Sequence, residues 1–300
     1  MSVQIAAFPK CYLEAMMPPR RMTWLDWIEL AGGLPHVQGL EAYPPALDSL
    51  EPDYLHQMQA AAGRRGLAIP MMCASPDFTR PDPTERAAET EQQRAVIDAT
   101  AELGGRFCRV LSGQRRPGVT RDQGIAWTVQ AIEELLPHAE RRKVTLTMEN
   151  HYKVGFWEYP EFAQASDIFL EIIGQIDSPW FGVNYDPSNA LIAGDDPLAL
   201  LNQVKDRVVS MHASDRSLAG GTLDDLRRHD ADPMLGYAPY VQHGVVGHGL
   251  IDYDAIFQVL KGVGFDGWIS IEDGQDPENG MENLAESAEF LHGKLLEHGL

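Results

Sequence analysis

The chain has 300 residues, 44% of them hydrophobic, and a formal net charge of -20. That is ample apolar material for a large core, and the excess of carboxylates disfavours a nucleic-acid backbone or an anionic membrane surface as partner. No run approaches the roughly 18–20 consecutive apolar residues that span a bilayer. No Ser/Gly/Pro-rich linker and no solenoid repeat divides the sequence, so one domain over residues 1–300 is expected.

The opening MSVQIAAFPK lacks the basic start and apolar stretch of a signal peptide. Strand-like apolar runs then follow at Gln4–Phe8, Gln38–Ala42, Ala68–Cys73, Phe107–Leu111, Val144–Glu149, Phe181–Asp186, Val208–His212 and Trp268–Glu272. Between them the spacing predicts helices over Trp24–Ala31, Pro52–Arg65, Pro83–Leu103, Arg121–Arg142, Tyr159–Ile176, Pro197–Val204, Tyr253–Val263 and Met281–Glu297. Asp82-Pro83, Asp196-Pro197 and Asp252 read as helix starts, and Gly66, Gly104 and Gly264 as helix ends. Of the three cysteines, Cys73 and Cys108 fall inside strand-like runs, where a reduced core thiol is the default, so a cytoplasmic location is expected.

Eight strand–helix pairs predict an α/β fold, a (β/α)8 barrel in preference to an open doubly wound sheet. The open sheet would need a phosphate-binding glycine turn, and neither GxGxxG nor GxxxxGK[ST] is present. One connection is long: residues 213–249 run on after the seventh strand before the next helix begins, a length that suggests a lid or substrate-covering loop, or else a surface insertion.

Four successive apolar runs end in a polar residue: Glu149 in VTLTMENHY, Asp186 in FGVNYDPSN, His212 in VVSMHASD and Glu272 in WISIEDG. Catalytic residues of a barrel sit at the C-terminal strand ends, so the four converge if the strands are neighbours. Singly, each has a plain alternative: a cap, an Asx turn before Pro187, a core histidine, a solvated loop. Together, three carboxylates and an imidazole make a hard, mostly oxygen shell that suits Mn²⁺, Mg²⁺ or Co²⁺ better than structural Zn²⁺.

These motifs resemble the sugar-phosphate isomerase/epimerase-like superfamily of xylose-isomerase-like TIM barrels, which includes ketose 3-epimerases, inosose isomerases and dehydratases, and endonuclease IV. TMENH, NYDPSNALIAGDDP, SMHASD, GHGLIDYDAIF and GFDGWISIED carry the resemblance. It implies that Glu149, Asp186, His212 and Glu272 hold one divalent ion, commonly Mn²⁺, with Mg²⁺, Co²⁺ or Zn²⁺ as alternatives. It also implies that Glu149 and Glu272 exchange a substrate proton from opposite faces. Epimerases of the family usually carry His three residues after the metal Asp, where this chain has Asn189, and Glu is common where this chain has His248.

The expected function is therefore a metal-dependent isomerase or epimerase acting on a keto-sugar, sugar phosphate or cyclitol, through proton transfer next to a carbonyl and a metal-stabilised enediolate. The alternative is a lyase or dehydratase on a keto-polyol or 3-keto-glycoside, since loss of a β-hydroxyl from the same enediolate gives elimination. His151, Asn189, Arg216, Trp157 and His248 are candidate substrate contacts, and His243 a further candidate in the long connection. The AP-endonuclease reading is disfavoured because the third and fourth strand ends read MCAS and VLSG, without the expected histidines. A non-catalytic sugar-binding barrel is a further remote alternative. The expected partner is a small polyhydroxy carbonyl compound, with no nucleic acid and no membrane. A homodimer or homotetramer is left open.

Overall fold

Short apolar runs rich in Val, Ile, Leu and Phe form strands because both faces of a barrel strand are buried. The computed structural model describes residues 3–230, 237–272 and 276–300. In it the runs become β1 (Gln4–Ala7), β2 (Gly39–Ala42), β3 (Ala68–Cys73), β4 (Phe107–Val110), β5 (Thr145–Glu149), β6 (Phe181–Tyr185), β7 (Val208–Ala213) and β10 (Trp268–Ile271). All eight pair in parallel in the order β1-β2-β3-β4-β5-β6-β7-β10, and β10 returns to β1 with Gln4 opposite Trp268 and Ala7 opposite Ile271. This is the expected (β/α)8 barrel.

The surrounding helices follow their local signals. Helix Trp24–Ala31 is opened by a reciprocal capping box between Thr23 and Asp26, and buries Trp24, Trp27, Ile28 and Ala31 on one face. Helix Arg121–Arg142 has the same box between Thr120 and Gln123. Loss of one such cap costs about 1 kcal/mol.

Two expectations are corrected. The helix predicted from Tyr159 starts only at Ser166 and runs to Gln175. Its first seven residues are tied to the segment after β4 instead: Phe162 N donates to Gly113 O at 2.7 Å, and Arg115 N to Pro160 O at 2.8 Å. The Glu161 carboxylate accepts from Ser112 N at 2.8 Å and from the Ser112 hydroxyl. These tertiary bonds hold the backbone in a bridge and turn and override helix propensity.

The connection after β7, read as a loop, contains the antiparallel strands β8 (Asp215–Leu218) and β9 (Val241–Gly244) and a helix at Leu223–Asp230. The ribbon pairs Asp215 with Gly244 and Arg216 with His243. Residues 231–236 of this excursion lie outside those described. Its two ends meet at one carboxylate. Asp215, fully buried, accepts from the backbone N–H groups of Gly247 (3.0 Å), Gly249 (3.0 Å) and Ile251 (3.2 Å) as well as from that of Arg216 (2.9 Å). A Cβ at position 249 would collide with this carboxylate, which requires glycine there.

Side chains along a strand alternate between faces, so the residues two positions before the four strand-end groups share their side. They are Thr147, Asn184, Ser210 and Ser270, all buried, and Ser210 donates to Asn184 Oδ1 at 2.9 Å. The four strand-end groups thus stand on a layer of small polar side chains.

Candidate active site

The strand geometry brings Glu149, Asp186, His212 and Glu272 together. Each offers one ligand-type atom, and these atoms all lie within 4.8 Å of one another. Glu149, Asp186 and His212 are fully buried and Glu272 nearly so. Glu149 Oε1 accepts from Asn189 Nδ2 at 3.0 Å, and Oε2 from Arg109 at 2.6 Å. Asp186 caps the helix Pro187–Ile192, accepting from Asn189 N at 2.9 Å, and takes two 3.0 Å contacts from the Ser214 hydroxyl. Glu272 Oε2 sits 3.2 Å from Lys10 Nζ.

Charge states follow from these neighbours. Burial works against ionising Glu149, but His212 and Arg109 outweigh it and hold its carboxyl well below the usual range. Glu272 is lowered in the same way, burial being overcome by Lys10 and His212. Asp186 has no cation in direct contact among the described residues, and burial together with Glu272 and Glu149 raises it. Burial disfavours a charged His212, yet Glu149 and Glu41 raise it well above an ordinary imidazole.

Glu41 explains how His212 is held. It lies in β2, is buried, and its Oε2 sits 2.9 Å from His212 Nε2 and 3.2 Å from the Cys73 thiol. With Nε2 engaged there, Nδ1 faces Glu149 Oε1 at 3.3 Å and Glu272 Oε2 at 3.9 Å, and makes no hydrogen bond among the described residues. A buried ring nitrogen left over in front of three carboxylates is what a cation ligand looks like, with a carboxylate behind fixing the tautomer. The donor set therefore fits a divalent ion. Glu41, Cys73 and His212 form a second close group, but burial and Glu41 push the Cys73 thiol up to about 12. The thiol donates to Glu41 at 3.2 Å.

Above this cluster opens a cavity of about 520 Å³, lined among others by Lys10, Tyr43, Ser75, Arg109, His151, Asn189, Tyr237, His243 and Glu272. Of the substrate contacts expected from sequence, His151 and Asn189 are in its wall. His151 Nδ1 is 3.5 Å from Glu161 Oε2, and neither atom makes a hydrogen bond among the described residues. Arg216 is buried beside the cluster without lining the cavity, and NH1 donates to the carbonyl of Asp215 at 2.9 Å. Trp157 is corrected: it packs with Leu111 and Val154 and lines a different pocket, on the β3–β4 side. His248 is also corrected, being exposed and paired with Glu286 at 3.2 Å. The excursion's contribution to the cavity is instead Tyr237 and His243, Tyr237 packing on Tyr152 with ring centroids 4.8 Å apart.

The sequence reading missed Lys10, Glu41, Tyr43, Ser75, Arg109 and Tyr237. Glu41 and Arg109 each carried a signal, since each is the sole charged residue in a strand that is otherwise buried and apolar. A charge in that position must have a partner.

Comparison with known proteins agrees with the geometry. The profile of the xylose isomerase-like TIM barrel family matches residues 25–293. The chain belongs to that family. It is 31% identical to the inosose dehydratase of Lacticaseibacillus casei over 116 residues, a match that spans 36% of this chain and 36% of that protein. Among solved structures, a xylose isomerase domain protein from Planctomyces limnophilus superimposes with a TM-score of 0.74 at 19% identity, covering 100% of this chain and 99% of the other. A D-tagatose 3-epimerase-like protein gives 0.74 at 17% identity, covering 99% and 98%. The structural likenesses show a shared fold. Among the described residues no helix is long and apolar enough to cross a membrane.

Proposed function

We propose that this chain, acting as one domain, is a metal-dependent isomerase or epimerase of a small polyhydroxy carbonyl compound. The observation that carries the reading is the convergence of Glu149, Asp186, Glu272 and Nδ1 of His212 beneath a cavity of sugar size. These four residues would hold one divalent ion, Mn²⁺ in keeping with the hard oxygen-rich set. Bound there, such an ion supplies the Lewis acidity that makes a proton next to a carbonyl removable.

The chain's own residues do the rest. Glu149 and Glu272 are both held ionised, which a general base requires. Glu272 lines the cavity and takes or returns the proton on that side; Glu149, pinned by Asn189 and Arg109, serves the other. Asn189 orients without titrating, so proton traffic falls to the two glutamates. Return of the proton to a neighbouring carbon gives isomerisation, and return to the opposite face gives epimerisation.

A second reading, elimination of water, is favoured by one contact. His151 stands in the cavity wall with Glu161 behind it, which places a titratable acid where a departing β-hydroxyl needs a proton. The matched relative from L. casei is named as a dehydratase of inosose.

The test is incubation of the Mn²⁺-loaded protein with a panel of keto-sugars and inososes in deuterated water. Deuterium should enter one carbon, and the product separates isomerisation from elimination. Glu149→Gln and Glu272→Gln should each slow exchange by about 10³-fold while leaving the fold intact. Near-native exchange in both variants refutes the acid–base roles.

A further inference from the structure

The cavity wall gathers its positive side chains on one side. Among the described residues its charged lining comprises four cations, Lys10, Arg21, Arg109 and Lys153, against two carboxylates, Glu14 and Glu272, in a chain whose net charge is -20. Glu149 and Asp186 lie just beneath, and Glu41 and Glu161 stand behind His212 and His151, on the other side from Lys10 and Arg109.

Two of the cations are built into the wall. Arg109 is 3% exposed, and its bonds run from Nε to Ala74 O (3.0 Å), from NH1 to Glu149 (2.6 Å) and from NH2 to the Ser75 hydroxyl (3.0 Å). That uses three of five guanidinium N–H groups, while the side chain still borders the cavity. Lys10, with its side chain 14% exposed, meets Glu272 through one contact at 3.2 Å. Tyr43 and Ser75, both in the lining, add hydroxyls to the same side. These residues follow β1, β2 and β3 or sit in β4, opposite the strand ends that carry the acidic cluster. Burying an arginine is costly unless it is paired. Pairing with Glu149 explains one of its N–H groups; two of the five make no hydrogen bond among the described residues, and Lys10 and Lys153 border the same cavity, Lys153 donating to Glu158 O at 3.4 Å.

We propose that Lys10, Tyr43, Ser75 and Arg109 receive an anionic substituent of the substrate, a carboxylate or a phosphate, so that this site takes acidic keto-sugars in preference to neutral ones. The inference rests on the proposed function for the substrate class that it refines, and on the placement of these four side chains for the anion. The anion is bound by charge-assisted hydrogen bonds from Lys10 and Arg109, and the hydroxyls of Tyr43 and Ser75 complete its donors.

Calorimetric titration of the protein with D-fructose, 5-keto-D-gluconate and D-fructose 6-phosphate tests this, after a separate Mn²⁺ titration. At least one of the two anions should bind about tenfold tighter than D-fructose. Which anion wins identifies the carboxylate or the phosphate as the natural group. Lys10→Met and Arg109→Gln should each erase most of that preference, and added NaCl should weaken the anions but not D-fructose. Should Arg109→Gln fail to fold, Lys10→Met and the salt series still decide. Equal or tighter binding of D-fructose overturns the proposal, as does a preference that both variants retain. The outcomes also separate the two readings. If Mn²⁺ does not bind but the anion preference persists on the metal-free protein, the metal reading falls and this one stands. If Mn²⁺ binds and D-fructose exchanges deuterium as readily as the acids, the reverse holds.

Discussion

The two halves of the barrel rim occupy equivalent positions in the fold and do opposite things. At the end of β5, after β6 and β10 and within β7, the rim presents Glu149, Asp186, Glu272 and His212, three carboxylates and an imidazole whose ligand-type atoms lie within 4.8 Å of one another. Around β1 to β4 it presents Lys10, Tyr43, Ser75 and Arg109, a set of donors and cations. Each half neutralises the other, Arg109 meeting Glu149 and Lys10 meeting Glu272. The difference teaches that a single cavity can bring a carboxylate-rich cluster and a group of cations and hydroxyls together, provided each carboxylate that faces the seam has its own counter-charge. Glu41 is the exception that crosses the seam, coming from β2 to hold His212.

The largest expected effect would break the comparison outright. Asp186→Asn should weaken Mn²⁺ binding by about 100-fold or more in a direct titration, since it removes a charged ligand and leaves a capping amide. Lys10→Met should leave Mn²⁺ affinity unchanged or tightened, because it removes a cation that opposes the metal. Equal losses in both variants would mean the halves are not separable. Glu41→Gln sharpens the seam: a tenfold weakening of Mn²⁺ binding is expected, about what outer partners of ligand histidines contribute, and unchanged affinity would reduce Glu41 to packing.

A smaller effect concerns His243, whose ring burial, Lys10 and Arg216 push down to about 2. An unfolded histidine takes up its proton near pH 6.5, so below that the unfolded chain binds more protons than the folded one. Stability must then fall as pH drops, by about 1 kcal/mol per pH unit at most. His243→Gln should flatten denaturation midpoints between pH 6 and 4 by part of that slope; an unaltered slope would show that the ring is protonated in the fold. The smallest effect is chemical. Burial pushes the Cys73 and Cys108 thiols up to about 12, so iodoacetamide at pH 8 should modify the half-buried Cys11 first and the other two only on unfolding.

The acidic half was legible in the sequence because its residues are polar tips on apolar runs, a pattern that alternation and strand length expose together. The cationic half was hidden for two physical reasons. Arg109 and Glu41 sit inside strands, where a single charge looks like noise in an apolar run, although its burial demands a partner. Lys10 follows β1 in a turn whose local sequence carries no sign of which strand end it will reach. The fold was read correctly for the barrel order and for helices that carry their own caps. It was misread at Tyr159–Ala165 and at Asp215–Leu218 and Val241–Gly244, where bonds to distant backbone decide the conformation and local propensity does not. His248 and Trp157 failed similarly: proximity in sequence to a strand end says little about direction once the chain leaves the rim.

The Asp215 clamp has a consequence for how such a chain can diversify. By fastening the departing strand and the returning glycines to one buried carboxylate, it closes the excursion at its root, so the entropy of tethering is met independently of what lies further out. Among the described residues the helix Leu223–Asp230 is seated on the scaffold through Leu226, which packs with Tyr152 and Ile192, so exchange of the outer stretch between barrels needs that apolar seat to be kept. Ligand preference on that side of the cavity can evolve as a cassette, provided the aspartate and Gly249 are kept.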